Sequence, residues 1–246
     1  MFFYFPAFFY ALAFLAGLEI IIYQPALAFY ALAVLMLASL WESKKIGKRW
    51  LFSIVPTVFS ISSIILLYFI DIFAEKQLFV FLSAFIYYLS LLSAYRLRNY
   101  SKDQTAMGLV MASATAAIFF FYAASYGIYL NFAVSSWVLV LAYFLVTFLV
   151  SCQYFQIIKS DRKKSALVYS LLLGMAMAEI AWIMSFWPFG YLTTGIIALI
   201  FYYILWDLIR SYFLNFLSKK RVVANMMLSG FLISLILISS KWLPNI

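Results

Sequence analysis

Nine long apolar segments follow one another along this chain, separated by short polar connections. An α-helix rises about 1.5 Å per residue, so about 20 apolar residues are needed to cross the hydrocarbon of a bilayer. Segments of that length predict membrane-spanning helices. We assign the nine spans to residues 2–22, 26–41, 50–70, 77–95, 105–127, 132–157, 165–186, 190–213 and 222–241.

The composition agrees with a lipid environment. Apolar residues make up 68% of the chain and charged residues 10%, whereas a soluble domain is roughly 45–50% apolar and about 25% charged. A soluble fold would expose a large apolar patch, which soluble monomers avoid. The apolar runs do not alternate with polar residues as the strands of a membrane β-barrel do. We therefore predict an all-α fold, a polytopic transmembrane helix bundle that forms a single domain over residues 1–246.

Basic residues are concentrated on one side of this predicted bundle. All of the 17 Lys and Arg residues except Lys76 and Lys241 fall in connections on the side of the N-terminus. The positive-inside rule assigns that side to the cytoplasm, which predicts a cell-membrane protein with its N-terminus inside and its C-terminus outside. The same connections are expected to contact anionic lipid headgroups. Their basic residues are Lys44, Lys45, Lys48, Arg49, Arg96, Arg98, Lys102, Lys159, Arg162, Lys163, Lys164, Arg210, Lys219, Lys220 and Arg221.

The net charge of +9 does not indicate a nucleic-acid partner, because membrane topology already accounts for these basic clusters. The chain has no His, which is the commonest metal ligand and general base. Its one cysteine, Cys152, allows neither an intrachain disulfide nor a cysteine cluster for zinc. We also find no nucleophile triad and no Gly-rich phosphate loop. The sequence therefore predicts no nucleic-acid partner, metal or cofactor, and it favours a function other than catalysis.

Two carboxylates, Glu19 and Glu179, fall inside predicted spans. A charge at the bilayer centre costs about 2.5–3.5 kcal/mol or more, so such residues usually face protein or water. Both lie in the outer half of their spans. We expect at least one to be protonated, because desolvation and a like neighbour favour the neutral acid. The functional hypothesis is a proton- or cation-coupled site open to the outside. The alternatives are headgroup contact for Glu19 and a hydrogen bond to a neighbouring helix for Glu179.

The third span carries a polar stripe beside Pro56. Its members are Ser53, Thr57, Ser60 and Ser63, at spacings that place them on one side of a helix. A proline inside a span frees a backbone carbonyl, and hydroxyls can satisfy such groups or line a wet cavity. The functional hypothesis is one wall of a substrate path. The alternative is that the hydroxyls bond to carbonyls of their own helix.

Two features of the last three spans indicate helix packing and anchoring. The seventh span carries small residues on one face, which lets another helix approach closely. At the inner end of the eighth span, Asp207 and Arg210 stand three residues apart beside Trp206. We interpret them as an interfacial pair with charges that reach toward the headgroups. The small residues are Ser170, Gly174, Ala178, Ala181 and Ser185.

The stretch from Glu179 to Tyr191 includes Trp182, Phe186 and a Trp-Pro-Phe-Gly turn at 187–190. It resembles a segment found in small uncharacterised multi-pass bacterial membrane proteins. The resemblance covers 13 residues and implies a membrane location, without an activity or catalytic residues.

Three hypotheses for the function follow from these observations. The favoured one is a small transporter or ligand-binding membrane protein, in which Glu19, Glu179 and the third-span hydroxyls surround a polar intramembrane cavity. The second is a structural or assembly subunit that contacts another membrane protein. The third is a lipid-active membrane enzyme with a polar cleft at the inner basic connections.

Overall fold

A computed structural model describes residues 4–100, 103–158 and 163–240. These residues form helices and connections without a β-strand, and nine of the helical segments are long and apolar enough to cross a membrane. The all-α polytopic fold class is therefore confirmed. The helices are α1 (Phe5–Tyr23), α2 (Ala28–Gly47), α3 (Ile54–Tyr68), α4 (Phe73–Asn99), α5 (Gln104–Asn131), α6 (Ser136–Ile158), α7 (Lys163–Met184), α8 (Tyr191–Phe213) and α9 (Lys219–Ser239).

The second helix differs most from its predicted span. The predicted span ends at residue 41, but α2 continues to Gly47 and stops where Lys48 adopts a left-handed conformation with φ of 57°. The polar residues Glu42 and Ser43 therefore belong to the helix, and both are buried. The span prediction ended too early because it followed hydropathy, which falls at these residues although the helix goes on.

Pro56 lies in the first turn of its helix and not well inside it. The residues before it, Trp50–Ser53, form a 3-10 turn, and the α-helix begins at Ile54. A proline in the first turn costs little, because the amide there has no partner within the helix. The freed carbonyl expected from a mid-span proline therefore does not arise.

The chain divides into two compact units, Met1–Phe121 and Tyr122–Ile246, with the boundary inside α5. In the first unit α1 packs along α4, and α2 packs against both α3 and α4. Aromatic contacts fix the first of these pairs. Tyr4 stacks on Tyr95 with ring centroids 3.7 Å apart, and Phe14 stacks on Tyr87 at 4.5 Å. The later residue of the first helix contacts the earlier residue of α4, so the two helices are antiparallel.

In the second unit α6 and α7 share the most extensive interface. The small-residue face predicted for the seventh span makes this contact close, because a Cβ added at Gly174 would lie 3.1 Å from the Phe144 carbonyl oxygen. Buried tyrosines fill much of this unit. The rings of Tyr122 and Tyr143 stack at 4.1 Å, and the Tyr143 hydroxyl donates to the Tyr122 carbonyl oxygen at 3.1 Å.

Asp103 caps the N-terminus of α5. Its Oδ1 accepts hydrogen bonds from the Thr105 amide at 3.0 Å, the Thr105 hydroxyl at 2.6 Å and the Ala106 amide at 3.2 Å. Its Oδ2 lies 2.7 Å from the Arg96 guanidinium. The Thr105 hydroxyl, with the Ala106 amide and Arg96, lowers the pKa of Asp103, and desolvation opposes this shift.

We expect Asp103→Asn to destabilise the protein at neutral pH and to have little effect in acid. Asn also caps helices well, so this change removes the charge and keeps a cap. A carboxyl whose pKa is lower in the folded state contributes stability above its unfolded-state pKa of about 3.9, and that stability is lost as the pH falls through the folded-state value. Thermal unfolding in detergent at a series of pH values measures the difference. Asp71→Asn, at an exposed acid, is the control, and an Asp103→Asn defect that did not change with pH would contradict the assignment.

Candidate polar site of the first unit

A buried carboxyl lies at the centre of the polar contacts made by α2. Glu42 is 7% exposed, and its Oε2 accepts a hydrogen bond of 2.8 Å from the hydroxyl of Tyr87 on α4. Tyr87 is held in turn by the Phe14 ring of α1, which stacks on it. Three helices therefore contribute to the position of one carboxyl, which lies about 7 Å from the C-terminal end of α2.

Buried hydroxyls stand close to Glu42 along α2. Ser39 and Ser43 lie three residues before and one residue after Glu42, and both are fully buried. The Ser39 hydroxyl donates to the Met36 carbonyl oxygen at 2.8 Å and lies 3.2 Å from the Thr57 hydroxyl of α3. The Ser43 hydroxyl is buried without a hydrogen-bond partner among the described residues. The site therefore offers oxygen atoms that the protein itself does not fully satisfy.

Within the described ranges, no cationic side chain forms an ion pair with Glu42. The ion pairs of the described residues are Arg96 with Asp103 and Arg221 with Asp207. The two lysines that follow Glu42 in sequence turn toward aromatic rings, with Lys44 Nζ 3.8 Å from the Trp50 ring centroid and Lys45 Nζ 4.7 Å from that of Trp41. A buried carboxyl without a counterion is the kind of group that binds a proton or a cation.

Comparison with known protein families places this site within a shared sequence region. A model for a protein family of unknown function, DUF5656, matches residues 38–239. The chain belongs to the DUF5656 family. No curated protein and no solved structure matches the chain. The DUF5656 match includes Ser39, Glu42 and Tyr87, whereas Glu19 lies before it.

In this DUF5656 protein Glu19 is half-buried and connects two helices. Its Oε2 accepts a hydrogen bond of 3.1 Å from the Gln77 side-chain amide of α4. It lies four residues before the end of α1, close to the position expected from the sequence. This contact gives Glu19 a protein partner near a helix end, and a role for it in ligand binding stays a prediction.

Glu179 lies on an exposed face of α7 in the second unit. Met175, Trp182 and Ile183, each about one turn away along the helix, are all more than half exposed. The described residues place no hydrogen-bond partner on its carboxylate. Glu19 and Glu179 belong to different units, so the cavity proposed to contain both stays a prediction.

The four third-span hydroxyls separate into two pairs. Ser60 and Ser63 donate to carbonyl oxygens of their own helix, those of Pro56 at 2.9 Å and Phe59 at 2.8 Å. Ser53 and Thr57 contact α2 instead, since Ser53 donates to the Leu40 carbonyl oxygen at 3.2 Å and Thr57 meets Ser39. The second pair therefore lies toward the polar face of α2, and the first pair is satisfied within α3.

Glu42 is the residue that sequence reasoning missed in this DUF5656 protein. The predicted second span ends at residue 41, one residue before Glu42, so the sequence does not place this carboxyl inside a span. A signal was present in the sequence, because Ser39, Glu42 and Ser43 follow the three- and four-residue spacing of one helix face. The second predicted span, 26–41, is also the shortest of the nine. Its extension by one or two turns would include Glu42 and Ser43.

A second buried carboxyl, Asp207, is paired in a different way from that predicted. The sequence predicts an interfacial pair with Arg210, but Asp207 is 4% exposed and accepts two hydrogen bonds from Arg221 of α9, at 3.1 and 2.8 Å. The Asn225 side chain donates a third at 2.6 Å. Arg210 lies over the Trp206 ring at 5.2 Å. Asp207 therefore joins α8 to α9 through its ion pair, whereas Glu42 has no such cationic partner in the part of the chain that the structure describes.

Proposed function

We propose that this protein is a small transporter or ligand-binding protein of the cell membrane, and that it binds a proton or a monovalent cation at Glu42. The observation that carries the proposal is a buried carboxyl that accepts a phenol hydrogen bond and forms no ion pair with any residue that the structure describes. Ionisable groups inside membrane-spanning helices are rare and mark ion or proton sites by default.

The chemistry of the neighbouring groups supports a small hard cation or a proton. Glu42, Tyr87, Ser39 and Thr57 present oxygen atoms only, and oxygen ligands favour hard cations over soft transition metals. One carboxylate supplies one negative charge, which one proton or one monovalent cation neutralises. An isolated buried ion costs several kcal/mol in a protein interior, so neutralisation of this charge is strongly favoured.

We expect Glu42→Gln to remove a dependence of stability on cations or on pH that the unaltered protein shows. Gln can still accept the Tyr87 hydrogen bond, but it cannot bind a proton or neutralise a cation. A cation at about 100 times its dissociation constant would stabilise the unaltered protein by about 2.7 kcal/mol. Thermal unfolding of protein in nanodiscs, in series of Na⁺, K⁺ and pH at constant ionic strength, measures this effect.

The matched control is Glu75→Gln, which alters an exposed acid in the first turn of α4. This variant is expected to respond to cations and pH as the unaltered protein does. The proposal fails if Glu42→Gln keeps the full response, or if the unaltered protein responds to neither variable apart from the acid transition assigned to Asp103.

The proposed orientation in the membrane places the end of α2 on the cytoplasmic side. Two observations support this part of the proposal. Lys44 and Lys45 lie over tryptophan rings at that end, as basic and aromatic side chains do at membrane interfaces. Arg98 at the end of α4 donates to the Ile46 carbonyl oxygen at 3.2 Å, which brings a second basic helix end beside it. Anionic lipid headgroups are the proposed partners of this basic surface.

A further inference from the structure

An apolar groove runs between α1 and α4 on the first unit. It has a volume of about 290 Å³. Its base is formed by Ala11 and Ala84, which are about 5% exposed, and their small side chains leave the space open. Phe8, Phe81 and Phe85 form the rim, and each is more than a third exposed. The groove is therefore open on the outside of the unit.

The groove lies at the depth of the hydrocarbon. On α4 its lining runs from Phe81 to Tyr88, and these residues lie within about 8 Å of the midpoint of a 27-residue helix. The walls contain no charged side chain, and the Tyr88 phenol is their one polar group. Whatever occupies the groove must come from the apolar interior of the bilayer.

The dimensions match one hydrocarbon chain. The lining of α1 extends from Phe8 to Leu15, which is about 10 Å along the helix axis. This volume is the space open to atom centres, and divided by the length it corresponds to a mean width of about 5 Å for the path of those centres. Carbon atoms in contact are about 3.5–4.0 Å apart, so a chain of methylene groups fits this width. A partner helix is about 10–12 Å across, so its backbone cannot enter and only single side chains of it could reach into the groove.

From these observations we infer that the groove between α1 and α4 binds an acyl chain of a membrane phospholipid. Bilayer tails are as apolar as the groove, so the preference arises from van der Waals contact with the rings and not from escape from water. This site is separate from the cation site proposed at Glu42, although both are built partly on α4.

Photocrosslinking of lipid to the full-length protein tests this inference. The protein is reconstituted in phosphatidylcholine nanodiscs that contain a phospholipid with a diazirine near the end of one acyl chain, and crosslinked peptides are mapped by mass spectrometry. We expect several-fold more label on 8–15 and 81–88 than on residues 226–235 of α9, although the α9 residues are more exposed. Ala84→Phe should fill the groove and reduce its label several-fold, while the label on α9 stays unchanged.

The control substitution is Ala112→Phe, which adds the same ring at an exposed alanine of α5 and should leave the groove label as it is. Ala11→Val, a smaller filling of the same groove, provides a second test if Ala84→Phe does not fold. Even labelling of all exposed faces would show annular lipid only and would overturn the inference. So would crosslinks to a second protein chain in the groove, or undiminished label in folded Ala84→Phe or Ala11→Val protein.

Discussion

Replacement of Asp207 by Ala is expected to release α9 from α8 and to destabilise the second unit by about 2–3 kcal/mol. The carboxylate holds Arg221 through two hydrogen bonds and Asn225 through a third. A hydrogen bond to a charged group contributes about 1.5–3 kcal/mol. The loss of a buried ion pair costs about 3–5 kcal/mol when both groups are buried. The Arg221 side chain is 43% exposed, so we place the expected loss below that range.

The effect should be concentrated in α9, because this helix has little other attachment. Ser229 is the one buried residue that α9 contributes in the described part of the chain, and α8 is the helix it packs against. Hydrogen–deuterium exchange of residues 219–239 in detergent measures the release directly. Amides of α9 should exchange faster in Asp207→Ala, while those of α6 and α7 exchange as before.

Variants of the two arginines distinguish the observed pairing from the one predicted by sequence spacing. Arg221→Ala should reproduce most of the effect of Asp207→Ala, and the double variant should be little worse than either single one. Arg210→Ala removes the contact with the Trp206 ring, which lies on α8 itself, and should leave α9 protected. If Arg210→Ala released α9 and Arg221→Ala did not, the assigned ion pair would be wrong.

Gly195→Ala should destabilise the protein by about 1–3 kcal/mol, which is the usual cost of an added group in a well-packed interior. A Cβ at this position of α8 would lie 2.8 Å from the Ala123 Cβ of α5, 3.0 Å from its Cα and 3.2 Å from its amide nitrogen. Two of these are backbone atoms, which cannot move aside as a flexible side chain does. The helices must separate locally, and the contacts around them are weakened.

The control for Gly195 is Gly230→Ala in α9, where an added Cβ meets nothing within 4 Å. Ala favours a helix over Gly by roughly 0.8–1.0 kcal/mol, so this variant should be neutral or slightly more stable. Thermal unfolding of both variants in the same detergent makes the comparison. Equal stability of Gly195→Ala and the unaltered protein would show that α5 and α8 do not approach each other this closely.

The spans were predictable because a membrane-crossing helix is a local property of the chain. A run of about 20 apolar residues satisfies its own backbone hydrogen bonds and meets the thickness of the hydrocarbon without help from its neighbours. The predicted segments at 190–213 and 132–157 therefore lie close to α8 and α6. The helix end at Gly47 was not predictable from hydropathy, because hydropathy falls at the polar residues Glu42 and Ser43. These residues nevertheless continue the helix and are buried by the tertiary structure.

The candidate site depends on contacts between residues far apart in sequence. Glu19 and Glu179 are recognisable in the sequence as acids within apolar segments. Their position in the sequence does not show whether the side chain faces protein, water or lipid. Glu42 is buried between helices, and the hydrogen bond that offsets part of the cost comes from Tyr87, 45 residues later. Asp207 pairs with Arg221, 14 residues away, and not with Arg210 one turn along its own helix.

The amino-acid sequence by itself therefore determined that nine helices of this chain belong in lipid and which of their ends are basic. The tertiary structure alone decided which carboxyls are buried, which of them have cationic partners and where a groove opens between helices. The physical reason is that hydrophobic length acts within one helix, whereas desolvation and pairing of a charge depend on the side chains that neighbouring helices bring to it.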